Sequence, residues 1–378
     1  MTLFVELHLI QNFAPSNLNR DDTGAPKDAI FGGQRRARVS SQCFKRAIRL
    51  YSRDQQLIPT EYRALRTKKL HALLLERLAN RDQQEARAKI EVALAAAGLK
   101  LKDDSKTEYL LFLGEREITG FAALIEEHWD TLIIPAAGEK KGKKESKAAI
   151  PAELAKLAKA LLDGGKAVDV ALFGRMLADL PQVNQDAACQ VAHAISTHRV
   201  ERDFDYFTAV DDVGGPDETG AGMIGQVEFN SATFYRYAAL DVNKLRQNLQ
   251  DDKELTVSAI EALIESMVRA IPTGKQNSFA AHNLPEFIGV SLRKSPLNLA
   301  NAFERPIQPR HDKSLTEQSV AALGEYENKL APVYGDATDR WAHIDLTGKW
   351  QVKNSQTRSS VSDLATWVRD VVETQWGA

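Results

Sequence analysis

The sequence lacks the features typical of secreted proteins, of membrane-spanning proteins and of proteins stabilised by a structural metal. Its 378 residues contain only two cysteines, Cys43 and Cys189, and these form no CxxC pair. Sparse, separated cysteines favour a reducing compartment and argue against a structural zinc site. The apolar start, residues 1–10, is interrupted by Glu6 and His8 and has no basic leader, and no apolar run approaches the roughly 20 residues needed to cross a bilayer. We therefore expect a cytoplasmic protein with no secretion signal and no membrane span.

An excess of one charge and the common catalytic motifs are also missing. Lysine and arginine total 49 against 51 acidic residues, a net charge of -2, so any surface for a polyanion must be a local patch. There is no GxGxxG, P-loop or GxSxG motif, so neither nucleotide hydrolysis nor serine hydrolase chemistry is supported. His193 and His198 are five residues apart, too far around a helix to share a metal comfortably, and we expect them to be structural. We expect no catalytic residue, no metal and no cofactor.

Hydrophobic periodicity divides the chain into strand-rich and helix-rich parts. Alternating apolar residues predict a half-buried first strand at 3–10, and Ser40 can cap a helix that runs to about Arg53. Helix-rich sequence follows from about 59 to 163. The later predictions are strands at 167–176, 227–240 and 287–292, a helix capped by Ser258 and Glu261, and a final helix at 362–375.

The order strand, helix, strand, strand, helix, strand predicts an α+β chain with a ferredoxin-like βαββαβ sheet. A large helical insertion and a long hairpin interrupt it. The predicted parts are a first sheet part with a basic loop and helix at 1–57, the helical insertion at 58–165, a second sheet part at 166–200, the hairpin at 201–226, a third sheet part at 227–306, and a C-terminal wrap at 307–378. A lysine-rich stretch at 138–147 predicts a solvated surface loop.

Positive charge is concentrated near the amino end of the chain. Residues 20–54 hold nine basic and four acidic side chains, a local excess of five positive charges. Charge runs are more often solvated helix faces. Here Gly32 and Gly33 and the hydroxyls of Ser40 and Ser41 accompany the cations, and backbone N–H groups and a helix N-terminus bind phosphate. The segment therefore predicts a site for a nucleic-acid backbone, with affinity that falls as salt rises.

Seven short motifs are spread along the sequence. They are SNLNRDD at 16–22, KDAIFGG at 27–33, VDVALFGRM at 168–176, AHAISTH at 192–198, DYFTAVDD at 205–212, FYRYA at 234–238 and NLANAFE at 298–304. These motifs resemble the CasC family, the backbone subunit of the type I-E CRISPR Cascade complex. Each motif is weak by itself, but together they span the chain in order and are specific.

The resemblance implies a hand-like protein with an RRM-like palm, helical fingers and a hairpin thumb, whose copies stack head to tail along a guide RNA. Met176 and Phe207 match positions at which apolar side chains lie against bases; without the resemblance, both would be read as core residues. Lys275, in the loop 272–278, could contact RNA or belong to a plain connection. The predicted RNA contacts are Arg20, Lys27, Gln34, Arg35, Arg36, Arg38, Ser40, Ser41, Lys45, Arg46, Arg49, Met176, Phe207, Thr208 and Lys275.

The resemblance also implies a set of partners. These are crRNA, target DNA through the guide, further copies of the chain, other Cascade subunits (head, belly, small subunits and a guide-processing endoribonuclease) and a recruited helicase-nuclease. Two alternatives remain open. One is a metal-dependent ribonuclease that uses Asp21 and Asp22, which otherwise would pair with Arg20 or Lys27. The other is a generic RRM-type protein that reads bases through exposed sheet aromatics, although no RNP-like stretch occurs.

Overall fold

A computed structural model of the chain describes residues 2–102, 105–133, 152–177, 180–209, 212 and 223–376. The lysine-rich stretch at 138–147 and most of the predicted hairpin tip lie outside these residues. The strands are β1 (Phe4–Ser16), β2 (Asp28–Phe31), β3 (Gln34–Val39), β4 (Ala64–Thr67), β5 (Leu111–Gly114), β6 (Cys189–Val191), β7 (Ala194–Ser196), β8 (Asp203–Ala209), β9 (Met223–Asp241), β10 (Phe287–Arg293), β11 (Arg340–Asp345) and β12 (Ser355–Thr357). The helices are α1 (Ser41–Asp54), α2 (Leu70–Arg77), α3 (Gln83–Ala97), α4 (Glu115–Glu127), α5 (Ala152–Ala160), α6 (Val168–Phe173), α7 (Val242–Asn248), α8 (Lys253–Arg269), α9 (Gln276–Phe279), α10 (Leu315–Tyr334) and α11 (Val361–Trp376).

The chain divides into two compact units. One unit contains Met1–Gln55, Gln190–Val242 and Ile260–Ala378, and we call it the sheet unit. The other contains Gln56–Cys189 and Asn243–Ala259, and we call it the helical unit. The six-part division expected from the sequence stays a prediction.

The sheet unit is built on one large sheet with the strand order β12-β11-β10-β1-β9-β7-β3-β2. Its centre, β10-β1-β9-β7, is antiparallel throughout, with α1 before β7 and α8 before β10 in the chain. This order and direction are those of a ferredoxin-like sheet. The mixed α+β class is thus confirmed.

Both faces of the central strands of the sheet are buried. On one face Arg236 of β9 lies under the helices, with its guanidinium 4.0 Å from the ring centroid of Phe44 in α1 and 2.7 Å from the carbonyl oxygen of Met267 in α8. On the other face, Tyr235 and Phe287 belong to a core that also includes Val320 of α10. The expectation of a half-buried first strand was therefore wrong, because β1 contributes to both cores and even its Glu6 and His8 are 0% exposed.

Two further elements differ from the sequence-based expectation. The predicted strand at 167–176 is helix α6, which ends where Gly174 takes a φ of 77°, and the second strand of the central sheet is β7 instead. Helix α8 begins at Lys253 rather than after Ser258, because the carboxylate of Asp252 accepts the Leu255 N–H at 3.1 Å and caps the helix earlier.

The helical unit has its own hydrophobic core. Leu70 and Leu74 of α2, Ile90 of α3 and Phe121 of α4 are all fully buried in it. Strands β4 and β5 form a separate antiparallel pair. Among the residues described, none of the helices is both long and apolar enough to span a bilayer.

Candidate nucleic-acid interface

The hairpin β2–β3 turns on two glycines that no other residue could replace easily. Gly32 and Gly33 have φ values of 57° and 73°, the left-handed region that glycine favours. A Cβ atom on Gly32 would lie 1.8 Å from the carbonyl oxygen of Glu304, so this turn is held close to the 300–304 segment. Gln34, the first residue after the turn, is exposed.

Arg36 is not a phosphate contact, and this prediction was wrong. Its side chain is 0% exposed, and it donates hydrogen bonds to the carbonyl oxygens of Ser196 at 3.0 Å and Phe303 at 2.8 Å. Burial lowers the pKa of the guanidinium, and the carbonyl oxygens compensate for its lost hydration. Arg36 therefore joins β3 to β7 and to the 300–304 segment.

The two neighbouring arginines of β3 remain at the surface. Arg35 is exposed and forms an ion pair with Asp28, which also pairs with Arg202 at 2.8 Å. Arg38 is half-buried and donates to the backbone oxygen of Asp28 at 3.1 Å and to Nδ1 of His193 at 3.0 Å. Each is thus held in position by an existing partner while part of its side chain stays accessible.

Ser40 forms the N-terminal cap of helix α1. The Ser40 hydroxyl accepts the N–H of Cys43 at 3.3 Å, and the Ser40 N–H donates to the side chain of Asn19 at 2.8 Å. Ser40 and Ser41 are both buried, so the prediction that their hydroxyls meet phosphate is not supported. Their role is to start the helix and to fix its direction.

The outer face of α1 carries the predicted cations. Phe44, Ala47 and Ile48 are buried, while Arg46 is exposed and Lys45 and Arg49 are half-buried. Helix α1 is therefore amphipathic, with its apolar side buried and its basic side facing outward.

Arg20 and Arg46 meet at a cleft of about 370 Å³ beside α1. The cleft is lined by Leu18, Asn19, Arg20, Asp21, Cys43, Arg46, Ala47, Pro272, Thr273 and Gly274. The 272–274 loop can approach because Gly274 has no side chain: a Cβ atom there would lie 2.3 Å from the carbonyl oxygen of Leu18. Lys275, half-buried, follows directly after this wall. Two cations and several polar backbone groups are thus gathered around one open concavity.

Asp21 has a structural role, but with different partners from those expected. Its Oδ1 accepts hydrogen bonds from the Thr23 hydroxyl at 2.7 Å and from the N–H groups of Thr23 and Ala25 at 3.0 Å. The hydroxyl of Thr23 and these backbone donors lower the pKa of the Asp21 carboxyl. In the described part of the chain, no group of three or more His, Cys, Asp or Glu side chains is placed to hold a metal ion.

The hairpin of β8 and β9 presents aromatic side chains. Phe207 is 37% exposed and pairs across the strands with Gly225, and a Cβ atom on Gly225 would lie 2.3 Å from the Phe207 ring. The ring therefore lies over the glycine, and Thr208 beside it is exposed. Phe204 and Tyr206, on the opposite face of β8, are more than half exposed.

Met176 belongs to the helical unit and follows α6. Its side chain is 84% exposed, the largest value among the large hydrophobic residues that the structure describes. This exposure excludes the interpretation of Met176 as a core residue at the end of a strand.

Comparisons with known proteins agree with these features. The family model described as CT1975-like protein matches residues 5–368. The chain belongs to the CT1975-like family of Cas proteins. No curated protein sequence matches it. A solved structure described as a pre-nicking CRISPR RNA-guided surveillance complex contains a chain that is 30% identical, with a TM-score of 0.85, and the match covers 97% of this chain and 99% of that one. A chain of another CRISPR RNA-guided surveillance complex is 26% identical, with a TM-score of 0.75 and the same coverage.

In this CT1975-like protein the predicted contacts fall into separate places. The cleft brings Arg20 and Arg46 together, and the β2–β3 hairpin carries Lys27, Gln34, Arg35 and Arg38 close by in sequence. Lys27 and Arg38 are near enough to His193 that, after burial, their charges help to lower the pKa of its ring.

Sequence reasoning set His193 aside as structural together with His198, but only His198 has that role. His198 donates from Nδ1 to the carbonyl oxygen of Arg199 and accepts the Thr233 N–H at Nε2. His193 is exposed and accepts from Arg38. The sequence carries no signal that separates the two histidines. The pairing of Ala194 in β7 with Val39 in β3 is what places His193 beside the cations.

Proposed function

We propose that this CT1975-like protein is the backbone subunit of a type I-E CRISPR Cascade complex. In this role copies polymerise head to tail along crRNA and present the spacer for pairing with target DNA in antiviral defence. The observation that carries the proposal is the end-to-end match to a chain of an RNA-guided surveillance complex, 97% of this chain against 99% of that one. Near-complete coverage in both directions supports a role shared by the whole chain rather than by one of its parts.

The proposed RNA surface is the basic side of the sheet unit. Arg20 and Arg46 at the cleft, Lys45 and Arg49 on the outer face of α1, and Lys27 and Arg38 on the hairpin side supply positive charge to phosphates. Lys275 extends this surface. These are contacts to a backbone, which carries no sequence information, so binding is indifferent to the spacer. The partly exposed Phe207 offers a ring to a base of any identity.

The proposed role is that of a scaffold without catalysis. Asp21, one of the two residues on which the ribonuclease alternative depends, already accepts three hydrogen bonds from its own loop. Target choice then belongs to base pairing between guide and target, while the protein supplies shape and charge. DNA cleavage falls to a recruited helicase-nuclease.

Reading of bases on the open sheet, as in a generic RRM-type protein, is not favoured. The aromatic residues that such a protein would expose are covered: Tyr235, Tyr237 and Phe287 are 2%, 7% and 0% exposed. The parts of the fold are proposed to act as palm, fingers and thumb, and the remaining Cascade subunits (head, belly, small subunits and guide-processing endoribonuclease) as the partners of the assembled backbone.

The salt dependence of RNA binding tests the phosphate surface. Replacing Lys45, Arg46 and Arg49 together by alanine should lower affinity for single-stranded RNA and reduce the slope of log K against log salt by about 2, since each phosphate that a cation neutralises on a single strand contributes about 0.7. Fluorescence anisotropy at four or more salt concentrations measures the slope. The control replaces Lys313, Lys329 and Lys353, which are exposed in the sheet unit, and removes the same charge.

The control triple should keep the slope of the unaltered protein. Equal slopes for both triples would mean that net charge, and not the α1 surface, governs binding. An unchanged slope for the α1 triple would overturn the proposed site.

A further inference from the structure

The large apolar side chain of Met176 is exposed to water, and the residues around it keep it there. Leaving it 84% exposed forgoes the free energy that burial of a methionine would contribute. The segment around Met176 is fixed on both sides.

Arg175, the residue before Met176, is anchored in the interior of the helical unit. Its side chain is 1% exposed, and Nη1 lies 2.7 Å and 2.9 Å from the two carboxylate oxygens of Glu117. Nη2 donates to the carbonyl oxygens of Leu162 at 2.9 Å and Val183 at 3.1 Å. A planar guanidinium with several donors in a fixed geometry can hold such a set of acceptors at once.

Glu117 is equally constrained. Its side chain is 0% exposed, and besides Arg175 it accepts the N–H of Gly114 at 2.6 Å and of Gly164 at 3.0 Å. The same carboxylate thus caps the start of α4 and fixes the loop after α5. Neither partner of the pair can move without breaking hydrogen bonds in several segments.

The backbone on each side of Met176 is also fixed. Arg175 exchanges two hydrogen bonds of 2.9 Å with Gln185. On the other side, the Leu177 N–H donates to Oδ1 of Asn184 at 2.6 Å, and the Leu177 side chain is buried. Met176 is therefore an exposed residue between two residues, Arg175 and Leu177, that hydrogen bonds hold in place.

A buried ion pair is weak evidence for stability, because removing two charges from water offsets much of their attraction. The plain reading of Arg175 and Glu117 is that they specify the fold of the helical unit. This reading leaves unexplained why the residue next to the pair is the most exposed large hydrophobic side chain among those described. A fixed mount reduces the entropy that a contact residue loses on binding, so rigidity and exposure together favour a contact role.

We propose that Arg175 and Glu117 are positioning residues that hold Met176 against the face of a base in bound single-stranded RNA. The inference rests on the proposed function and names a part of its RNA contact. A thioether is unbranched and polarizable, and it makes favourable contacts with aromatic rings of any identity. Met176 thus adds affinity without reading sequence.

A double-mutant cycle tests this positioning role. Met176→Ala should weaken RNA binding by about two- to tenfold, the range of a sulfur–aromatic contact. Glu117→Gln should give a similar loss, because the neutral amide no longer pairs with Arg175. Combining both changes should cost no more than either alone, since they remove the same contact. Additive losses would show that Glu117 does not act through Met176.

Glu115→Gln is the matched control. Glu115 lies on the same helix two residues earlier and pairs with Arg77, but it does not touch Arg175. The Glu115→Gln variant should bind RNA with the affinity of the unaltered protein. When it is combined with Met176→Ala, binding should be no weaker than with Met176→Ala alone. If Glu115→Gln weakens binding as strongly as Glu117→Gln, general damage to the helical unit explains the result and the proposal falls.

Methyl NMR gives a readout that a purely structural role would not move. The chain has four methionines, so the methyl signal of Met176 can be assigned by its loss in Met176→Ala. RNA should shift this signal in the unaltered protein and much less in Glu117→Gln. Arg175→Lys, which keeps the charge but has fewer donors, serves if Glu117→Gln does not fold. Full affinity in Met176→Ala would overturn the base contact, whereas the slope test of the α1 surface would still decide the proposed function separately.

Discussion

Arg35 and Arg36 are neighbours in the sequence and lie in different environments. Arg35 is exposed and paired with Asp28, whereas Arg36 is enclosed among carbonyl oxygens. Composition and local charge could predict that residues 20–54 form a basic segment, but they could not separate the two arginines. The difference arises from β7 and the 300–304 segment, which are more than 150 residues away along the chain.

The stability of two single variants should reveal this difference. Arg36→Ala leaves buried carbonyl oxygens without donors and opens a cavity, so we expect a loss of at least about 3 kcal/mol in the free energy of unfolding. Arg35→Ala removes an exposed ion pair and should cost less than about 1 kcal/mol. Urea denaturation of both proteins measures these losses. Similar midpoints for the two variants would contradict the buried role of Arg36.

At the scale of elements, long periodic segments were the most predictable. Helix α1 with its Ser40 cap, strand β10, and the final helix α11 are where the sequence pattern put them. The stretch 167–176 was read as a strand because Val168, Val170 and Leu172 alternate with other residues. On a helix, Val168 and Leu172 share one side and Val170 lies on the other. All three are buried in α6 because the helix packs against β4 and β5 within the helical unit.

The cleft beside α1 depends on a close backbone approach that the sequence does not express. From the sequence, the 272–278 loop was either an RNA contact through Lys275 or a plain connection. Gly274 is needed because the backbone of Leu18 leaves no room for a side chain. The close approach of Gly274 to Leu18 makes this loop one wall of the cleft that Arg20 also lines.

Gly274→Ala should therefore damage the cleft. The added Cβ atom meets a carbonyl oxygen at 2.3 Å, so the loop must move away. We expect RNA affinity to fall by about 1 kcal/mol or more, a cost typical of overpacking at a fixed contact. Isothermal titration calorimetry with a short single-stranded RNA measures it.

Gly24→Ala is the control for this change. It adds the same atom to the neighbouring loop, at a position where nothing lies within 4 Å of it. Its backbone φ of 91° makes the substitution strained, so stability should fall while RNA affinity is retained. Unaltered affinity in Gly274→Ala would mean that the cleft does not bind RNA.

At the scale of the whole molecule, motifs spread along the sequence were more informative about the family than any local pattern was. The resemblance ran in order from residue 16 to residue 304, and the family match covers residues 5–368. What it did not predict is how the C-terminal region closes the sheet. Arg293 of β10 pairs with Glu6, Glu327 and Asp339 at 2.5 to 3.0 Å, and these four charges are spread over more than 300 residues. No local pattern connects them, so the covering of the second face could be known only from the fold.

A backbone subunit that stacks head to tail uses two different surfaces of each copy, and such an interface does not close on itself. The number of copies must then be set by the length of the RNA. We expect complexes of the purified protein with RNAs of increasing length to gain mass in whole-subunit steps, whatever the RNA sequence. Native mass spectrometry counts the subunits directly. The triple variant of Lys45, Arg46 and Arg49 should need higher protein concentrations to form the same series, because it weakens the phosphate contacts of every copy alike. A fixed subunit number across all RNA lengths would instead mean a closed oligomer, which is incompatible with a backbone that grows along its guide.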